Sequence, residues 1–103
     1  MTTIWKYDLG VAMEQEIAMP EGSKILTVQM QKDRPRLWVA VNPALPKVMR
    51  RIFMLGTGYE LPGLDKLPSI SLAYVGTFQV GGGDLVFHIF DGGPTGERNA
   101  QTH

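Results

Sequence analysis

His88 is the one imidazole of this chain placed to do chemistry. It lies between Phe87 and Ile89 in an apolar run that reads as a β-strand, whereas the second histidine, His103, ends a tail that nothing holds in place. Such a histidine is an acid–base group, a metal ligand, or a half-buried ring with one nitrogen bonded to a neighbour. A metal site needs two further ligands, and no second histidine falls on a sheet-like element, so the structural reading is favoured. Cysteine is absent, which excludes thiolate catalysis, disulfides and zinc–sulfur sites. The ten carboxylates are scattered and fall mostly at turns, where they solvate and hydrogen-bond locally. Glu14 and Glu16 share a strand face without an evident partner across a cleft. No nucleophile–base pair or metal cluster can be assembled from this inventory, so the expectation is a protein that is not an enzyme and carries no metal or cofactor.

Two segments offer binding chemistry instead. Gly56-Thr57-Gly58 follows an apolar run directly, and two glycines around a hydroxyl can turn backbone amides towards an anion. The lysine and helix of a phosphate loop do not follow, so a plain turn ending at Tyr59 is favoured. The second segment is basic. Net charge is zero, yet residues 32–51 hold Lys32, Arg34, Arg36, Lys47, Arg50 and Arg51 against Asp33 alone, a local balance of +5. Arg34 and Arg36 flank Pro35 at the start of one run, and Arg50 and Arg51 open another. If those two runs pair as a hairpin, the two arginine clusters come near opposite ends of the pair rather than stacking, and Arg50 and Arg51 point to opposite faces. The segment would still offer an anion-binding surface to an acidic partner, with Trp38 and Tyr59 as the exposed aromatics. A nucleic-acid module carries a basic excess throughout, and this chain does not, so nucleic acid is an unlikely partner. The blander reading is a set of solvated edge charges that discourage aggregation.

The elements that must position these residues are short. Pro and Gly clusters cut the chain about every ten residues, the rhythm of an all-β domain. Candidate strands are Thr3–Asp8, Glu14–Met19, Lys24–Gln31, Leu37–Val41, Met49–Leu55, Leu72–Val80 and Leu85–Phe90. In Lys24–Gln31, alternation groups Leu26, Val28 and Met30 on one face; in Leu37–Val41 it sets Leu37, Val39 and Val41 opposite Trp38 and Ala40. Val11–Ile17 is the one segment that could form a helix, and Gly10 before it and Pro20 after it leave little room for one. Gly81-Gly82-Gly83 is too short a link for a parallel crossover, so Tyr74–Gln79 and Leu85–Phe90 form an antiparallel hairpin. Val28, Val39, Phe53, Phe78 and Phe87 are the expected core. Leu61, Leu64 and Leu67 point to an ordered loop over one end of the sheet.

The predicted fold is therefore all-β, a small antiparallel β-sandwich or open barrel of about six to seven short strands. It forms a single domain over residues 1–90, followed by a flexible tail over 91–103. No apolar run reaches the roughly 20 residues of a membrane helix, and the amino terminus lacks the pattern of a secretory signal, so the expected setting is cytoplasmic with no membrane partner. A small core without disulfide or metal is helped by self-association, which predicts a homodimer.

Ile4-Trp5-Lys6-Tyr7, Ile17-Ala-Met-Pro-Glu-Gly22, Ile25-Leu-Thr-Val-Gln29, Leu37-Trp38, Gly56-Thr-Gly58, Tyr74-Val-Gly-Thr-Phe-Gln79 and Leu85-Val-Phe-His-Ile-Phe90 together resemble a family of small uncharacterised phage and prophage proteins. The resemblance covers residues 3–90, with Tyr59 standing where members often have histidine. It implies a genomic setting, the infected bacterial cytoplasm, and no activity. The expected function is that of a phage-encoded, non-enzymatic accessory protein that binds a host or phage protein, with counter-defence as one such role. The alternative is a sponge for an anionic nucleotide, held by the basic segment 32–51 and the Gly56–Gly58 turn. A minor virion component is the third reading. Expected binding residues are Arg34, Arg36, Trp38, Arg50, Arg51, Gly56, Thr57, Gly58 and Tyr59.

Overall fold

Side chains on a strand alternate between faces, so a chain of short, alternating apolar runs can bury itself only as stacked sheets. A computed structural model describes residues 1–60 and 72–95. It contains β1 (Thr3–Asp8), β2 (Glu14–Pro20), β3 (Lys24–Gln31), β4 (Arg34–Val41), β5 (Lys47–Gly56), β6 (Ala73–Val80) and β7 (Leu85–Pro94). One sheet, A, has the order β1-β4-β3; the other, B, has the order β2-β5-β7-β6. Every pairing is antiparallel, and the sheets form a small all-β sandwich that does not close into a barrel.

The core between the sheets is built from Leu37, Val39 and Val41 of β4, Ile52 and Met54 of β5, Ile89 of β7, Phe78 of β6, Val28 of β3 and Met19 of β2. Phe87 is half-buried against it. Phe53 is buried but lies on the opposite face of sheet B, where its ring covers Gly92; a Cβ on that glycine would sit 2.7 Å from Cε2 of the ring. Residues 14–17 are strand rather than helix, as the first part of β2, and Glu14 begins the pairing of β2 with β5 at Phe53.

Three backbone details place side chains where alternation alone does not. A bulge in β3 makes Ile25 face Val39 and Thr27 face Trp38, with Leu26 as the extra residue. Ile25, not Leu26, therefore joins Val28 and Met30 against the core, and Leu26 turns outward at 42 % exposure. A second bulge in β6, between Tyr74 and Gly76, lets β6 approach β3 at the side where the sheets meet. There a Cβ on Gly76 would lie 2.8 Å from Val28 Cγ1, so only glycine fits. The third is the β3–β4 turn, in which Lys32 (φ 53°) and Asp33 (φ 67°) are both left-handed between the paired Gln31 and Arg34. That backbone is normally given to Asn-Gly.

Pro35 lies in the central strand of sheet A, where a missing N–H is usually costly. It is tolerated because β1 has ended: the pairing stops at Asp8 and Arg36, and the Pro35 carbonyl still accepts from Leu9 N at 3.1 Å. The glycine link produces the expected β6–β7 hairpin, with Gly81, Gly82 and Gly83 all at positive φ. β7 runs to Pro94, so Asp91 to Pro94 belong to the sheet rather than to the expected tail. The loop carrying Leu61, Leu64 and Leu67 and the tail from 96 onward lie outside the described residues. Among those described, no helix is long and apolar enough to cross a membrane.

Candidate functional site

The basic segment does not form one surface. β4 and β5 belong to different sheets, so Arg34 and Arg36 share no hairpin with Arg50 and Arg51. Arg50 points between the sheets. Its Nε and Nη2 donate to Asp91 Oδ1 and Oδ2 at 2.9 and 2.7 Å, and its Nη1 donates to the Ser23 carbonyl at 2.8 Å. Both side chains are largely buried, at 12 % and 15 % exposure, and Asp91 Oδ1 also accepts from Gly93 N. Arg50 thus ties sheet B to the turn that enters sheet A. Arg36 lies with Nε 2.9 Å from Asp8 Oδ1 and donates from Nη1 to Gln31 Oε1. Arg51 lies with Nε 3.3 Å from Glu14 Oε2. Neither of these two Nε–H groups is aligned for a hydrogen bond, so both contacts are electrostatic. Arg34 alone of the four is exposed, at the tip of the β3–β4 hairpin beside Lys32.

Trp38 sits apart from Arg50 and Arg51, in the sheet that does not contain β5. The outer face of sheet A carries Ile4, Lys6 and Asp8 from β1, Arg36, Trp38 and Ala40 from β4, and Thr27 and Gln29 from β3. Ile4, Leu26, Thr27, Gln29 and Trp38 line a shallow groove of about 380 Å³ on this face. Ile4 is 57 % exposed, and charged or amide groups rim the apolar strip: Lys6 Nζ donates to Gln31 Oε1 at 2.9 Å, next to the Arg36–Asp8 pair. Alternation fixes the direction of Trp38, and the β3 bulge adds Leu26 beside it.

Gly56, Thr57, Gly58 and Tyr59 form a tight turn at the end of β5. Thr57 N donates to the Val86 carbonyl at 3.0 Å, and Tyr59 N donates back to the Gly56 carbonyl at 3.0 Å, with Gly58 at φ 83°. The Tyr59 ring rests on Gly56, 3.3 Å from where a Cβ would stand. On one side of the ring is a cleft of about 340 Å³, lined by the turn and by Asp84 to Phe87. Among the described residues that lining contains a carboxylate and no basic side chain, and Arg34, Arg36, Arg50 and Arg51 lie elsewhere. The groups named for an anion site are therefore not brought together.

His88 is drawn into this turn. Because β5 pairs with β7, Leu55 faces His88, and Thr57, two residues on, reaches the ring: its Oγ1 lies 2.7 Å from Nε2. On the other side Thr77, directly opposite His88 on β6, places Oγ1 3.0 Å from Nδ1. Thr77 Oγ1 shares a 2.5 Å hydrogen bond with the Tyr74 hydroxyl. Both ring nitrogens are thus engaged by hydroxyls, not one nitrogen by a single neighbour. The strand pairing thus brings a hydroxyl and an imidazole together at hydrogen-bond distance, a contact that the inventory of residue types does not place. Nothing local in the sequence signals it, since its alignment depends on pairing between strands separated by 28 residues of connection and hairpin. Among the described residues, no group of three or more His, Asp or Glu is placed to hold a metal ion.

The chain belongs to the family described as a domain of unknown function, DUF7352, whose model matches residues 1–100. No curated protein and no solved structure matches it.

Proposed function

We propose that this member of the DUF7352 family is an accessory protein that docks a protein partner on the outer face of sheet A, with Trp38 as the anchor. The observation that supports this reading is the outward apolar strip of Ile4, Leu26 and Trp38 within a charged rim. Isolated exposed apolar residues are ordinary, but a contiguous strip around a tryptophan, ringed by polar groups, has the composition of a binding hot spot and its rim. Lys6, Lys24, Lys32, Arg34 and Arg36 on this sheet outnumber Asp8 and Asp33, so the partner is acidic around an apolar centre. The phage setting that the sequence resembles gives the class of partner: a host or phage protein met in the bacterial cytoplasm.

A photo-crosslinking residue at position 38 tests this directly, with position 16 on the outer face of sheet B as the control. Crosslinks to one cellular protein from position 38 and none from position 16, lost when Leu26 is replaced by Asp, support the face. Equal crosslinking from both positions contradicts it. Crosslinks only to a second copy of the chain replace the foreign partner with a homodimer.

A further inference from the structure

We propose that Thr57 is a nucleophile activated by His88, and that the cleft beside it accepts small neutral or cationic carboxylic esters. This goes beyond docking on sheet A and stands independently of it, on the opposite sheet. Three observations carry it. First, Thr57 Oγ1 is 2.7 Å from His88 Nε2, within the reach that proton abstraction requires. Second, the base is itself held: Thr77 Oγ1 is 3.0 Å from Nδ1 and is fixed in turn by Tyr74. With the ring proton on Nδ1 and donated to Thr77, Nε2 is free to accept from the Thr57 hydroxyl. This is a nucleophile, a base and an orienting group in sequence, with hydroxyls in the place usually taken by a carboxylate. Third, Thr57 is shared between this array and the 340 Å³ cleft, whose wall includes Leu85, Val86 and Phe87.

The cleft also selects the substrate class. Among the described residues Asp84 is the one charged side chain of its wall, with no cation beside it, so phosphate esters and anionic acyl groups meet a like charge. The Gly58 N–H, next to the nucleophile, makes no hydrogen bond among the described residues and is free to donate to a carbonyl oxygen as it gains charge.

The chemistry balances without a cofactor. Thr57 Oγ1 forms a bond to the ester carbonyl carbon as its proton passes to His88 Nε2. The tetrahedral adduct then breaks its bond to the alkoxy oxygen, and the leaving alcohol takes the proton from Nε2. Water, deprotonated by the same nitrogen, attacks the acyl-threonine; the carboxylic acid leaves and Thr57 recovers its proton.

The test combines p-nitrophenyl acetate turnover with intact-mass and peptide mapping after treatment with a neutral fluorophosphonate. The wild-type chain is expected to gain one adduct, on Thr57, and to turn over the acetate but not p-nitrophenyl phosphate. His88→Gln should lower both rates about a hundredfold or more and remove the acid limb of the pH–rate profile. Thr57→Val should abolish the adduct, and Thr57→Ser should restore it. Thr77→Val, a change at a positioning residue, should lower kcat with KM unchanged, because Thr77 orients the His88 ring without touching the substrate. Circular dichroism of each variant separates loss of folding from loss of chemistry, and Thr57→Ser supplies the answer if Thr57→Val does not fold. No adduct on Thr57 in the folded wild-type chain, or equal labelling in His88→Gln, overturns the proposal.

Discussion

Replacing Arg50 with alanine should destabilise the domain far more than replacing any other arginine of the basic segment. The side chain makes three directed hydrogen bonds, two to Asp91 and one to the Ser23 carbonyl, at 2.7–2.9 Å. Removing it leaves a largely buried carboxylate with only the Gly93 N–H and strands the Ser23 carbonyl, whose residue is also buried. Breaking a buried pair by deleting one partner costs about 3–5 kcal/mol. The slight exposure of both groups, 12 % and 15 %, sets the expectation at the lower end, about 3 kcal/mol. For a domain of this size that corresponds to a fall in Tm of roughly 12–24 °C. Arg36→Ala and Arg51→Ala break pairs whose acids are 65 % and 52 % exposed, and should cost about 1 kcal/mol or less. Urea unfolding followed by the fluorescence of Trp5 and Trp38 reads all three, with Arg34→Ala as the exposed reference. The Arg50→Met, Asp91→Leu double variant should recover most of the loss, because no charge is left unpaired. A loss for Arg50→Ala within about 1 kcal/mol of that for Arg34→Ala would refute the assignment of this pair to the fold.

Two further outcomes follow from the backbone and from a buried phenol. Lys32→Asn with Asp33→Gly places the preferred residues at two left-handed positions and should stabilise the chain by about 1 kcal/mol, read as a higher urea midpoint at unchanged slope. Tyr7 Oη is buried without a hydrogen-bond partner among the described residues, and desolvation raises its pKa above the ordinary 10.0. As pH rises through 10 the unfolded chain releases this proton while the folded chain keeps it. Stability should therefore fall from that point until the folded phenol ionises. Tyr7→Phe should lack this alkaline loss and be neutral or stabilising by about 1 kcal/mol near pH 7.

The strands and the hairpin at β6–β7 were legible because period-two alternation and glycine or proline punctuation are local signals. Val28, Val39 and Phe78 are buried in the core as expected, while Phe53 is buried on the opposite face of sheet B, under Gly92. Where a bulge intervenes, alternation misassigns the face: Leu26 is outside and Ile25 is against the core because one residue of β3 is unpaired. Pairing between distant strands was not legible. The basic hairpin fails because β4 and β5 enter different sheets, and the Thr57–His88 contact went unseen because β5 and β7 become neighbours only across the intervening β6. Asp91 read as the start of a tail for the same reason, since its partner lies 41 residues earlier.

Docking on the outer face of sheet A, centred on Trp38, rests on the indole and its apolar neighbours. The most direct measurement compares partner affinity and thermal stability for Trp38→Ala against Glu16→Ala, using the protein crosslinked at position 38 as the titrant. Trp38→Ala should weaken binding by about thirtyfold or more, equivalent to the 2 kcal/mol of a hot spot. Its Tm should stay within a few degrees of wild type, because the indole already faces outward, and Glu16→Ala should change neither quantity. Unchanged affinity in a folded Trp38→Ala variant would contradict it.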